Sequence, residues 1–276
     1  MSDDDALAAD LRIADPDRYL SALYAPQDRR GDLIALYAFN AEIAAIRDRI
    51  REALPGEIRL QWWRDALAGN ADATGHPLAD RLLAAMRRRS LPTETFQNYL
   101  EARVFDLYDD PMPTRTDLEG YLGETAGALI QLAAMCLDGT SARTFAALAG
   151  HAGCAQGMTG LLRLVPLHRA RGQCYIPRDL LAAAGTTPQA FVAGEDLAAT
   201  ARAISAMVSL AREHWRAFVD GAANLPTLLR PAYLPLALTG AYLDRIDKVD
   251  LFAVPVELSA LRRHWLLFRA ASRGFA

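Results

Sequence analysis

Five apolar residues between positions 36 and 50 constrain the fold of this chain more than any other feature. They are spaced alternately three and four residues apart: Leu36, Phe39, Ile43, Ile46 and Ile50. This spacing places the side chains on one face of an α-helix, whereas a half-buried strand would alternate at every second residue. We therefore predict that residues 36–50 form a helix with a buried apolar face.

The rest of the chain shows the same helical periodicity and no pattern typical of strand hairpins or internal repeats. Thr116-Asp117-Leu118-Glu119 has the form of a capping box, which predicts the start of a helix that runs towards Asp138. Further helices are predicted over residues 57–68, 77–89, 93–108, 141–165, 197–220 and 231–245, and from Pro255 to Ser272. We predict a single all-α domain that spans residues 1–276.

Composition excludes several classes of protein. Hydrophobic residues make up 52% of the chain and charged residues 23%, which is typical of a globular protein, and a net charge of -3 argues against nucleic-acid binding. Three widely spaced cysteines predict neither a disulfide framework nor a zinc site. No apolar run approaches the roughly 18 residues of a membrane span. The acidic start, MSDDDALAAD, lacks the form of a signal peptide, so we expect a cytoplasmic protein.

Two segments carry motifs. The first contains Leu36-Tyr37-Ala38-Phe39, and the second, from Met158 to Asp179, contains Leu162-Arg163 and ends in Tyr175-Ile176-Pro177-Arg178-Asp179. Together they resemble the diphosphate-binding segments of the squalene/phytoene synthase family, whose members join two prenyl diphosphates head to head. The resemblance covers nearly the whole chain. It implies an isoprenoid-synthase-type helical bundle around a central cavity.

The resemblance also implies two aspartate-rich motifs, and both are altered here. Ala44 and Ala45 stand at the paired-aspartate positions of the first motif, where only Asp48 remains, and Leu164 and His168 stand at the aspartate positions of the second. Mg²⁺ takes oxygen ligands, so leucine offers none and one imidazole is a poor substitute. We predict that these five positions are vestigial, with no catalytic residue, metal or cofactor to assign. Mg²⁺ enters only if the protein is an active transferase, with Glu42 as a candidate substitute ligand.

The second segment keeps a cluster of basic residues. Guanidinium groups pair bidentately with phosphate, so diphosphate or another ligand could be held without a metal. The candidate ligand-binding residues are Arg163, Arg169, Arg171, Tyr175 and Arg178. The alternative, in which these arginines pair with neighbouring acids or solvent, stays open.

Three smaller features have two interpretations each. Glycines within one predicted helix favour either close helix packing or space for a prenyl chain: Gly150, Gly153, Gly157 and Gly160. The five histidines show no close pairing typical of a metal site, so we expect each to be a surface or locally hydrogen-bonded residue rather than a metal ligand. Trp62 and Trp63 point to different helix faces, so at least one is expected in the core and the other could dock a partner or a membrane surface.

Within the family, the chain is more similar to a branch typified by a mitochondrial complex I assembly factor. Gln61-Trp62-Trp63 and the Arg-x-x-Pro-x-His run from Arg163 to His168 carry that similarity. It implies a non-catalytic binding or assembly role in complex I biogenesis. The implied partner is a complex I subunit or assembly intermediate, with peripheral contact at the inner face of the cytoplasmic membrane. The alternatives are an active head-to-head prenyl-diphosphate transferase with unconventional metal ligands, and a module that binds a prenyl lipid or quinone in its cavity.

Overall fold

The computed structural model describes residues 3–69, 73–108, 110–249, 251–252 and 256–275, and these residues form helices and connecting turns without a strand. The all-α prediction is confirmed. The α-helices are α1 (Asp3–Ala14), α2 (Pro16–Leu23), α3 (Gln27–Ala44), α4 (Ile46–Arg49), α5 (Ala53–Ala68), α6 (Pro77–Arg89), α7 (Thr93–Ala102), α8 (Arg115–Leu122), α9 (Ala128–Thr144), α10 (Ala146–Arg163), α11 (Val165–Ala170), α12 (Arg178–Ala183), α13 (Pro188–Ala193), α14 (Leu197–Ala222), α15 (Arg230–Tyr233), α16 (Thr239–Ile246) and α17 (Ala260–Arg273). Short 3₁₀ segments cover Arg103–Leu107, Thr227–Leu229 and Leu234–Leu238, and Gly123–Gly127 forms one π-helical turn.

The apolar stripe of α3 is buried as predicted, apart from its last residue. Leu36, Phe39, Ile43 and Ile46 are all at most 5% exposed. The helix stops at Ala44, however, and α4 adds a separate single turn before Ile50, which is extended and half-buried. The 3,4 spacing therefore identified the buried face but not the break at Ala45.

Several predicted helix boundaries differ from the structure. The helix predicted over 57–68 begins earlier, at Ala53, and the one predicted over 93–108 ends at Ala102 before a 3₁₀ segment. The capping box is formed two residues earlier than predicted, by Thr114 and Asp117, whose side chains each bond the other's backbone N–H. The helix predicted over 141–165 ends at Arg163, because Pro166 lacks an N–H and cannot continue the ladder. The last helix begins at Ala260 after its cap Ser259, and the predicted start at Pro255 lies outside the described residues.

Contacts divide the chain into two compact units, each built from separated segments. The first comprises Met1–Tyr108, Ala128–Ala147 and Asn224–Pro235, and the second comprises Asp109–Gly127, Leu148–Ala223 and Leu236–Ala276. In the first unit α3 packs against α1, α2, α6 and α9; in the second α14 packs against α12 and α16. The assignment of one domain to residues 1–276 stays a prediction.

The aromatic core of the first unit surrounds Phe39. Its ring lies 5.0 Å from Trp63, 5.7 Å from Phe96 and 5.5 Å from Tyr99. Trp63 is fully buried while Trp62 is 38% exposed, so the prediction that one of the two tryptophans belongs to the core is confirmed. Within the described residues, no helix is both long and apolar enough to cross a bilayer.

Candidate functional site

The first motif lies at the end of α3, in the first unit. Ala44 is exposed, Ala45 is half-buried at the helix break, and Asp48 is exposed on α4. A methyl group cannot coordinate a cation, so Asp48 is the one carboxylate that these three positions supply. The sequence assignment of these residues as vestigial stays a prediction.

Glu42, the candidate substitute ligand, is engaged by neighbouring basic groups. Its Oε1 accepts a hydrogen bond from Arg59 Nη2 at 2.8 Å and lies 3.8 Å from His76 Nε2. Glu42 is on α3 and Asp48 on α4, on opposite sides of the break at Ala45. A magnesium site built on these two carboxylates would have to displace Arg59.

A buried polar network lies beneath the first motif, and sequence reasoning missed it. Tyr99 donates a 2.8 Å hydrogen bond to Asn40 Oδ1 and accepts one from Arg103 Nε at 3.2 Å, while Arg103 also pairs with Asp106 at 2.9 Å. Burial raises the pKa of the Tyr99 hydroxyl, although Arg103 opposes the shift. The network therefore ties α3 to α7 through a neutral phenol. Asn40 directly follows the Leu-Tyr-Ala-Phe run, and this position next to a motif was the sequence signal that could have identified it.

The second motif lies where α10 gives way to α11, in the second unit. The His168 N–H donates to the Leu164 carbonyl at 2.9 Å, so the two residues lie one helical turn apart as predicted. Leu164 is 46% exposed, and the half-buried His168 ring lies 4.6 Å from the Tyr175 ring. That these residues face the position of a lost metal site stays a prediction.

Two of the candidate ligand-binding arginines contact the protein itself. Arg163 Nε donates to the Val256 carbonyl at 3.1 Å, and its guanidinium lies 3.7 Å from the centre of the Tyr242 ring. Arg169 shows the same arrangement, with a 2.9 Å hydrogen bond to the Val192 carbonyl.

The Arg169 guanidinium lies 3.7 Å from the centre of the Phe252 ring. Arg178 is exposed, and its backbone N–H bonds the Met112 carbonyl; Arg171 and Tyr175 are half-buried. The structure thus gives Arg163 and Arg169 internal partners that differ from both alternatives left open by the sequence.

A small cavity adjoins His168. The space within it that a water-sized sphere can occupy is about 10 Å³, and its lining is mainly apolar side chains such as Leu162, Phe191 and Met207. Small-molecule sites usually occupy about 300–1,000 Å³. Gln173, which is 4% exposed, lines the cavity, and its Nε2 has no hydrogen-bond partner among the described atoms. The space fits water better than a prenyl chain.

Two histidines that are far apart in the sequence meet in the folded chain. His151 Nδ1 lies 3.0 Å from His214 Nδ1, and His214 Nε2 lies 3.1 Å from Glu119 Oε1. Because a carboxylate only accepts, His214 carries a proton on Nε2; in the neutral form of His214, its Nδ1 then accepts from His151 Nδ1. Arg115 donates to the same Glu119 oxygen at 2.7 Å.

This chain of hydrogen bonds has an electrostatic consequence for Glu119. Burial would raise the pKa of Glu119, but the hydrogen bonds from Arg115 and His214 outweigh it and hold that pKa below its ordinary value. The histidine ring centres are 5.2 Å apart, so the facing nitrogens lie nearly on the line that joins them. That is the geometry of a hydrogen bond, since two imidazoles on one metal would converge at an angle.

Neither motif offers a donor set that suits Mg²⁺. The first supplies Asp48 alone, with Glu42 paired to Arg59, and the second supplies a leucine and an imidazole. Elsewhere in the part of the chain that the structure describes, no three His, Cys, Asp or Glu side chains are grouped so that they could hold a metal ion.

Comparison with known proteins gives consistent matches. Residues 11–269 match the protein family described as squalene/phytoene synthase. NADH dehydrogenase (ubiquinone) complex I, assembly factor 6 of Mus musculus is 29% identical over 245 residues, which is 87% of this chain and 72% of that protein. Presqualene diphosphate synthase of Sinorhizobium fredii is 27% identical over 170 residues, 61% of each chain. A dehydrosqualene synthase crystal structure superposes with a TM-score of 0.81 at 18% identity, over 98% of this chain and 95% of that one, which confirms the isoprenoid-synthase type of fold.

Proposed function

The chain belongs to the squalene/phytoene synthase family, and from that premise we propose that it is a non-catalytic member that acts in respiratory complex I biogenesis. The proposal depends most on the groups that Arg163 and Arg169 contact. In a diphosphate site their guanidinium groups would be free to meet phosphate oxygens. Here both lie against aromatic rings and bond backbone carbonyls of their own unit.

The altered aspartate positions support the same conclusion. Departure of pyrophosphate from an allylic diphosphate needs divalent cations to neutralise the developing charge. Ala44, Ala45 and Leu164 bring no ligand, and Asp48 alone cannot hold the metals that two motifs would share. Similarity to complex I assembly factor 6 supports the assembly role. The proposed partner is a complex I subunit or assembly intermediate, met at the inner face of the cytoplasmic membrane.

The enzymatic part of the proposal is tested with purified protein. Farnesyl or geranylgeranyl diphosphate is incubated with Mg²⁺, and squalene, phytoene and their diphosphate intermediates are measured against a no-protein control and an active family member. We expect no product above the control. Product that Asp48→Ala abolishes would overturn the proposal in favour of an active transferase, the alternative that similarity to presqualene diphosphate synthase favours.

The assembly part is tested by deleting the gene in its native host. We expect rotenone-sensitive NADH oxidation to fall while squalene and carotenoid levels stay unchanged. Re-expression of Asp48→Ala should restore the oxidation as well as the wild-type gene does, because the role needs no metal ligand. Normal complex I with lost isoprenoid product would contradict the assembly role.

A further inference from the structure

The last helix, α17, presents large apolar side chains on its outer face. Leu261, Trp265 and Phe268 are 85%, 57% and 62% exposed. Their positions are four and three residues apart, so they form one stripe along the helix. Leu267 and Ala270, on the opposite side, are buried in the second unit. The helix is thus anchored by one face and leaves an aromatic and aliphatic face uncovered.

The charges of α17 are all of one sign. The helix contains four arginines and no acidic residue, within a chain whose net charge is -3. Arg262, Arg269 and Arg273 are exposed, and their spacings of seven and four residues place them in one strip beside the apolar stripe. The Arg269 guanidinium lies 5.7 Å from the centre of the Trp265 ring, so the arginines lie directly beside the apolar stripe.

We propose that this outer face of α17 docks directly on an anionic lipid bilayer surface. The apolar stripe would enter the interface, where tryptophan is favoured because one edge of its ring is polar. The arginine strip would meet lipid phosphates while its alkyl stems lie along the acyl boundary. Helices that combine Trp, Phe and Leu with arginine in this way lie in the plane of the interface. The absence of any acidic residue from the helix favours an anionic surface as the occupant of this face.

Lipid binding by this face is tested separately from the proposed assembly role, because the assay contains neither complex I nor a diphosphate. The purified full chain is floated with phosphatidylcholine vesicles, with and without about 30% phosphatidylglycerol. We expect binding only to the anionic vesicles. Trp265→Ala or Leu261→Ser should weaken the partition coefficient about tenfold each, from the lost apolar contact. Arg262→Gln and Arg273→Gln should weaken it about fivefold each.

Matched substitutions control for general loss of apolar area or charge. Leu197 is 69% exposed in the same unit, so Leu197→Ser should leave binding unchanged, as should Arg87→Gln on an exposed position of α6. Quenching by brominated lipid, taken as the difference between wild type and Trp265→Phe, should locate Trp265 in the interface. Absence of flotation with anionic vesicles, or wild-type flotation of Trp265→Ala, would overturn the proposal. Self-association lost in Leu261→Ser without vesicle binding would also overturn it and assign the face to a second copy.

Discussion

Substitution of Gly153 by alanine should destabilise the protein even though alanine is the better helix former. A Cβ at Gly153 would fall inside the contact distance of the Gly127 backbone nitrogen and Cα, and within 3.0 Å of the Ala126 carbonyl carbon. Backbone cannot rotate away as a side chain can, so α10 or the π-helical turn must shift. Overpacking costs about 1–3 kcal/mol or more, and the helix propensity of alanine returns about 1 kcal/mol. We expect a net loss of about 2 kcal/mol.

The same helix provides its own controls. A Cβ at Gly150 or Gly160 meets no atom within 4 Å, so Gly150→Ala and Gly160→Ala should each stabilise by about 0.5–1 kcal/mol. Gly157 faces the Leu122 side chain, which can rotate, so Gly157→Ala should fall between these limits.

Urea unfolding followed by circular dichroism measures the series. With a slope of about 3 kcal/mol per molar, Gly153→Ala should lower the midpoint by about 0.7 M. An unchanged or raised midpoint for Gly153→Ala would refute the close-packing argument.

Further measurements test other parts of the structure. Asp32 is 3% exposed and pairs with Arg88 at 2.5 Å and with Arg89 at 2.6 Å. Asp32→Ala would leave these partners without their buried carboxylate, so it should lower the free energy of unfolding in urea by about 3–5 kcal/mol. Asp28→Ala, at an exposed carboxylate, should change it by less than about 1 kcal/mol. Arg163→Met should cost about 1–2 kcal/mol through the lost carbonyl bond and ring contact, and an equal stability would contradict the internal role of this arginine. The pKa of Glu119 is lowered in the folded state, so the ionised carboxylate stabilises the fold above about pH 4.3, the ordinary glutamate value. This stabilisation is lost as the pH falls through the folded pKa. In Glu119→Gln, the free energy of unfolding should therefore decline less steeply on the acid side. Burial raises the pKa of Cys136 to about 12 and of Cys154 and Cys174 to about 11, so thiol reagents should react with them on unfolding rather than in the native protein, and fast native labelling would contradict the burial.

The amino-acid sequence by itself determined the class of fold and the buried face of α3. Periodicity is a local property, since residues three and four apart share a helix face whatever surrounds them. The same locality explains why the turn between Leu164 and His168 was predicted correctly. Boundaries were less secure, because Thr114 and Thr116 both have an acidic residue three positions later, and local pattern does not choose between them.

Only the tertiary structure decided which groups the functional candidates meet. Arg163 bonds a carbonyl 93 residues away, and His151 meets a histidine 63 residues away. The four glycines of α10 look alike in sequence, yet Gly153 packs against Gly127 and Gly157 against Leu122, while Gly150 and Gly160 face open space. Such contacts depend on how helices that are distant in the sequence pack together. The spacing of residues along one helix does not say which other helix packs against it. The internal roles of the arginines and the pairing of the histidines therefore emerged only when the chain was folded.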